Sequence, residues 1–147
     1  MRIAHVLARM NVGGTARWID VLSRELMARG HEVLIVTGHV QDGENEDPCV
    51  NELPVARVSS LGRSLSPLDD VRSVAEIRHV LRLWNPDVVN THTAKAGVVG
   101  RLAVRTLGSS RPALAHTIHG HLLTGYFSTT AVQAICISEQ VMASVSE

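Results

Sequence analysis

Two loops and one histidine-rich stretch gather the side chains and bare backbone groups best suited to binding or catalysis. Residues 11–17, NVGGTAR, place the adjacent glycines Gly13 and Gly14 between an apolar run, RIAHVLA, and a run with helical spacing, WIDVLSRELMARG. A glycine pair opening a helix leaves backbone N–H groups bare beside the positive end of the helix dipole, a setting that suits an anion. The dinucleotide pattern G-x-G-x-x-G is absent, because the next glycine is Gly30, and no Gly-Lys-Ser or Gly-Lys-Thr occurs. A tight turn with no ligand is the plain alternative.

Residues 116–121, HTIHGH, carry His116, His119 and His121. A separation of three residues sends His116 and His119 to opposite faces of a strand, which argues against a shared metal, and no Asp or Glu lies within the segment. Before Gly120, His119 falls at a strand end, either as a structural imidazole or at a ligand. Residues 90–97, NTHTAKAG, place Thr93 and Lys95 at a helix start. A lysine there opposes the helix dipole, so a phosphate or carboxylate partner would account for it, with a solvated surface lysine as the alternative. Tyr126, the only tyrosine, lies in a Gly- and Thr-containing loop, where it can stack on a sugar or fill a gap. No G-x-S-x-G elbow is present, and neither Cys49 nor Cys136 has a histidine partner evident in sequence.

These loops need a scaffold, and the hydrophobic pattern supplies one. Strands are expected at residues 3–8, 31–38, 55–61, 87–92 and 113–120, with a sixth near 132–137 followed by a helix opening at Ser138. Helices are expected between them. Ala16, Ile19, Leu22 and Leu26 mark the first, ended by Gly30; Val74, Ile77, Leu81 and Trp84 mark the second, with Ser66 or Asp69 as cap; the third covers residues 94–108 despite its internal glycines. Residues 39–54 read as a polar surface loop. Apolar strands alternating with helices imply a doubly wound α/β domain with a mainly parallel Rossmann-like sheet, whose ligands collect beyond the carboxyl ends of the strands. All the candidate residues above fall on those ends.

The bulk numbers agree with one globular domain over residues 1–147: 45% of residues are hydrophobic, enough for a substantial core. Fourteen basic residues balance fourteen acidic ones, so there is no overall field to attract nucleic acid or an anionic surface. Anion recognition must be local. The two cysteines, Cys49 and Cys136, have neither a zinc spacing nor a disulfide framework, and a reducing cytoplasm is the simplest setting. No apolar run approaches the ~20 residues of a membrane span, which leaves peripheral association with the inner membrane face compatible with the sequence.

The run MRIAHVLARMNVGGTARWIDVLSRELMARGHEVLIVTG, followed in order by NPDVVNTHTAKAGVVGRLA, TIHGH and ICISEQV, resembles the N-terminal domain of group 1 glycosyltransferases, also called family 4. The resemblance implies half of a two-domain GT-B fold and a retaining transfer of sugar from a nucleotide-diphosphate sugar, without a cofactor or metal ion. Its setting would be polysaccharide, glycolipid or cell-envelope glycan synthesis. Carried over by position, Gly13 and Gly14 would lie under the donor diphosphate and His119 would contact the transferred sugar. Thr15, Thr93, Lys95 and Tyr126 are candidates for holding a sugar, lipid-linked or phosphate-bearing acceptor.

Three departures qualify the likeness. A C-terminal, donor-binding domain lies outside these 147 residues, so the chain alone is expected to be inactive. Ala16 stands where the family often has an acid, and only residues 128–133 separate the HGHLLTGYF loop from ICISEQ, too few for a long helix. Two other readings stay open, a non-catalytic binding fragment and a sugar-nucleotide epimerase of the same fold.

Overall fold

The computed structural model describes residues 1–62 and 66–119. The expected sixth strand, the helix opening at Ser138, the shortened segment 128–133, His121 and Tyr126 lie outside the described residues.

Among the described residues five strands and three helices follow in the order β1 (Arg2–Leu7), α1 (Gly14–Ala28), β2 (Glu32–Thr37), β3 (Val55–Arg57), α2 (Pro67–Trp84), β4 (Val88–His92), α3 (Ala94–Arg105) and β5 (Ala113–Thr117). All pairings are parallel, in the order β3-β2-β1-β4-β5. From β1 the chain builds outward through β2 and β3, then returns to pair β4 with the other side of β1. The β1–β4 boundary is therefore the topological switch point, where a crevice opens beyond the strand ends.

Strand alternation sorts the core into two layers. Ala4, Val6, Val36 and Val89 face one side, where Ile77 and Leu81 of α2 and Ala96, Val99, Ala103 and Val104 of α3 cover them. Leu7 and Ile35 face the other, against Ala16 and Ile19 of α1. Each fully buried Leu or Ile stabilises by roughly 1.5–3 kcal/mol, so these stripes dominate the folding energy. Ala16, 2% exposed, sits inside this second layer.

Sequence punctuation explains the element ends. Gly30, at φ 81°, stops α1: its N–H reaches Met27 O and that of His31 reaches Leu26 O, the paired bonds of a Schellman turn. Asn85 stops α2 in the left-handed conformation at φ 51° ahead of Pro86. Ser66 occupies the N-cap of α2, with no side-chain hydrogen bond.

The glycines inside the third helix set how closely it approaches the sheet. A methyl group on Gly100 would lie 2.7 Å from Thr91 Cγ2, and one on Gly97 would lie 2.6 Å from the His116 ring.

Some boundaries and one loop differ from expectation. β3 is three residues long rather than seven, and α3 ends at Arg105. Segment 39–54 is not simply a surface loop, because a 3-10 turn at Pro48–Asn51 buries Cys49 and Leu53 in the α1 layer. Cys49, Val50 and Leu53, hydrophobic side chains in a mostly polar stretch, pack against that layer and draw the segment inward.

Gly38 has the tightest backbone environment: a Cβ there would lie 1.6 Å from Leu61 O and 2.8 Å from Ala8 O. Both neighbours are main chain and cannot swing aside. Gly38→Ala is expected to destabilise by about 3 kcal/mol or more, whereas Gly62→Ala, with nothing within 4 Å, should stay within about 0.5 kcal/mol. Urea-unfolding midpoints for the two variants measure this, and a Gly38→Ala variant as stable as the wild type would contradict the packing described.

Candidate functional site

At the carboxyl end of β1 the chain passes through Gly13 and Gly14 into α1. Gly13 is the N-cap in an extended conformation, no side chain caps the helix, and its first turn carries no acid. The protein's own packing does not require glycine at either position, since a Cβ on Gly13 would meet only Asn11 atoms at 3.8 Å and one on Gly14 nothing within 4 Å. The exposed helix start keeps its N–H groups and positive dipole end for whatever approaches from the crevice.

The preceding turn is braced from the side. Val12 N–H donates to Asn45 O at 2.9 Å and Asp47 N–H to Met10 O at 2.8 Å. Arg9 pairs with Glu44 at 2.7 Å, and Arg57 forks onto both carboxylate oxygens of Glu46 at 2.6 and 2.9 Å. Segment 44–47 thus fixes the entry to the glycine pair.

Across the switch point, His119 follows β5 on the same sheet face as His92 of β4 and His5 of β1. Its Nε2 lies 2.9 Å from His92 Nδ1, and His92 Nε2 lies 3.1 Å from His5 Nδ1. Trp18, one turn into α1 from Gly14, packs against this row, with ring centroids 5.5 Å from His92 and 5.1 Å from His119, the latter edge-on. Through Trp18 the first turns of α1 and His119 belong to one site.

His116 goes the other way, as its spacing implied: its Nδ1 lies 2.9 Å from Thr91 Oγ1 on the α3 side of the sheet. The imidazoles on the α1 side bond to one another in series rather than converging on a point, and among the described residues no group of three or more His, Cys, Asp or Glu side chains could hold a metal ion.

Burial controls the charge of the row. His5 is 1% and His92 0% exposed. Desolvation lowers the His5 pKa to about 4. Desolvation, followed by the neighbouring histidines, lowers that of His92 to about 2. His119 is also shifted down by desolvation. The inner pair is neutral near pH 7.

The helix start after β4 is arranged differently from the first. Thr93, the N-cap of α3, has φ 64° and ψ 163°, a region costing a β-branched residue of order 1–3 kcal/mol. Its carbonyl accepts from Gly97 N–H at 2.8 Å, and its own N–H reaches Thr117 O at 3.4 Å. This strained backbone sits at the crevice rim. Lys95 meets a carboxylate from within the chain, its Nζ lying 2.7 Å from Asp70 Oδ1 of α2. That pair satisfies the electrostatic demand that the lysine's position raised. Thr15 lies half-buried in the first turn of α1.

Sequence reasoning located Gly13, Gly14, Thr93 and His119 at the crevice but missed His5, His92 and Trp18. The available signal was a histidine inside each of two apolar strands, RIAHVLA and DVVNTH. Only the β1–β4 register brings them together.

Unfolding exposes both inner histidines to water, where each titrates near 6.5. Below that pH the unfolded chain takes up protons that the folded chain refuses until about pH 4 for His5 and about 2 for His92. Stability is thus full above pH 6.5 and falls as the pH drops toward 4, by about 1.4 kcal/mol per histidine per pH unit. Urea midpoints at pH 7.5, 6.5, 5.5 and 4.5 test this; His5→Phe should flatten the slope, and an unchanged slope would argue against the assignment.

Over 63 residues the chain is 36% identical to the Escherichia coli UDP-Gal:alpha-D-GlcNAc-diphosphoundecaprenol alpha-1,3-galactosyltransferase, a match spanning 43% of this chain and 16% of that protein. Sucrose-phosphate synthase from Thermosynechococcus elongatus superposes with a TM-score of 0.69 at 16% identity, over 97% of this chain and 40% of that one. The UDP-GlcNAc 2-epimerase of Methanocaldococcus jannaschii superposes with a TM-score of 0.64 at 19% identity, over 99% of this chain and 38% of that one. This chain therefore spans about two fifths of each solved relative, and at these identities the likeness is one of fold, the Rossmann-like half of a GT-B architecture. Among the described residues no helix is long and apolar enough to cross a membrane. The sequence profile of Glycosyltransferase Family 4 matches residues 12–145, and the chain belongs to that family.

Proposed function

We propose that this chain is the acceptor-side half of a retaining glycosyltransferase that moves a sugar from a nucleotide-diphosphate sugar to a sugar, lipid-linked or phosphate-bearing acceptor. The setting is the assembly of polysaccharide, glycolipid or cell-envelope glycan at the cytoplasmic side of a membrane. The observation that carries the reading is the uncapped start of α1, where among the described residues only Asn11, at 3.8 Å, would meet a side chain added at either glycine.

In this reading the diphosphate rests on the first turn of α1. Backbone N–H groups and the dipole meet the negative charge that grows as the sugar–phosphate bond breaks. The fixed donors act electrostatically and transfer no proton themselves, and the reading requires no metal or cofactor. His119, held beside the same helix by Trp18, orients the transferred sugar. Thr15 and Thr93 line the acceptor side of the crevice, Tyr126 is a further acceptor-binding candidate from the sequence, and Lys95 contributes through its pair with Asp70. The nucleotide base and ribose would be held by a second domain.

Titration of the 15N-labelled chain with UDP is expected to shift the amide signals of Gly13, Gly14 and Thr15 and the ring signals of His119. Gly14→Val should abolish those shifts while changing stability by less than about 1 kcal/mol; shifts scattered elsewhere, or none, would support an inert fragment instead. The chain alone should show no sugar transfer. The epimerase-like fold neighbour motivates one control, because a donor sugar epimerised without acceptor would replace the transferase reading.

A further inference from the structure

The three imidazoles on the α1 face form a chain with a direction. A neutral imidazole has one N–H and one lone pair, so His92, bonded through both nitrogens, must donate with one and accept with the other. Its choice fixes both neighbours. If the row runs inward, His119 Nε2–H donates to His92, His92 Nε2–H donates to His5 Nδ1, and His5 is left with an Nε2–H. If it runs outward, His5 Nδ1–H donates to His92, His92 Nδ1–H donates to His119 Nε2, and His119 carries its proton on Nδ1.

The inner end decides between them. His5 Nε2 is buried with no hydrogen-bond partner among the described residues. A buried N–H without an acceptor is the rarest kind of unpaired group, whereas a buried lone pair leaves no proton stranded. We infer that His5 and His92 are positioning residues that run the row outward and lock His119 as the tautomer with its proton on Nδ1, the nitrogen not engaged by His92.

Neutrality of the inner pair is what this alternation of donors and acceptors requires, and burial supplies it. Trp18 packs against both His92 and His119, holding the rings in their mutual orientation. The consequence for transfer rests on the reading that His119 faces the donor sugar: the residue then acts as a hydrogen-bond donor to a sugar oxygen and cannot take a proton at Nδ1. Two apolar strands thereby carry histidines that touch no substrate yet set what the site offers.

The test is the 15N spectrum of the histidine rings in this chain near pH 7.5. The expected pattern is a protonated Nδ1 and a bare Nε2 in His119, the same in His92 and His5, and scalar coupling across both N–H···N bonds. A proton on His119 Nε2 in the wild-type chain would overturn the inferred direction without any variant being needed. In His92→Phe, a ring of similar size without nitrogens, His119 should lose the fixed tautomer and titrate closer to an ordinary histidine. His5→Phe should give a weaker form of the same change, and a His119 tautomer unaltered in both folded variants would show that the row does not set it. None of these readings uses a sugar nucleotide, so failure here is distinct from failure of the UDP titration above.

Discussion

The pairing of β1 with β4 is the interaction on which this structure depends. It joins two successive halves of the chain that build in opposite directions across the sheet, with Ile3 opposite Val88 and Val6 opposite Thr91. The helix after β1 covers one face and the helix after β4 the other. The connections after these strands therefore diverge, and the gap between them is the crevice. The Gly13–Gly14 turn, the strained Thr93 and the His5–His92 contact are all consequences of that one boundary.

Close approach on the α3 side and openness on the α1 side complement each other. Gly97 and Gly100 let α3 press against His116 and Thr91, anchoring β4 and β5 from below. Gly13 and Gly14 press on nothing. The same residue type serves opposite ends in the two helices: in α3 the missing side chain is filled by protein, and in α1 it is left as space. Bracing of the first loop by Asn45, Glu44 and Glu46 keeps that space fixed in position, which a preorganised anion site needs.

Much of this was legible along the chain. Apolar strands alternating with amphipathic helices announced the parallel sheet, Gly30 and Asn85–Pro86 marked the helix ends, and the three-residue spacing of His116 and His119 told that they part company. What misled were places where packing outweighs local composition. Two buried residues, Cys49 and Leu53, pull segment 39–54 into the core, and β3 shrinks because only three of its residues find a partner on β2.

The fold class, the order of elements and the glycine pair at a helix start are readable along the chain alone, because periodicity, turn chemistry and backbone freedom are local properties. The row that His5 of β1, His92 of β4 and His119 after β5 form against Trp18, with its inner two members buried, arises only from the folded packing. That contact depends on the register of β1, β4 and β5, with His5 opposite Asn90 and His92 opposite Thr117. Register is set by how whole strands bury their apolar faces together, and no local pattern encodes it.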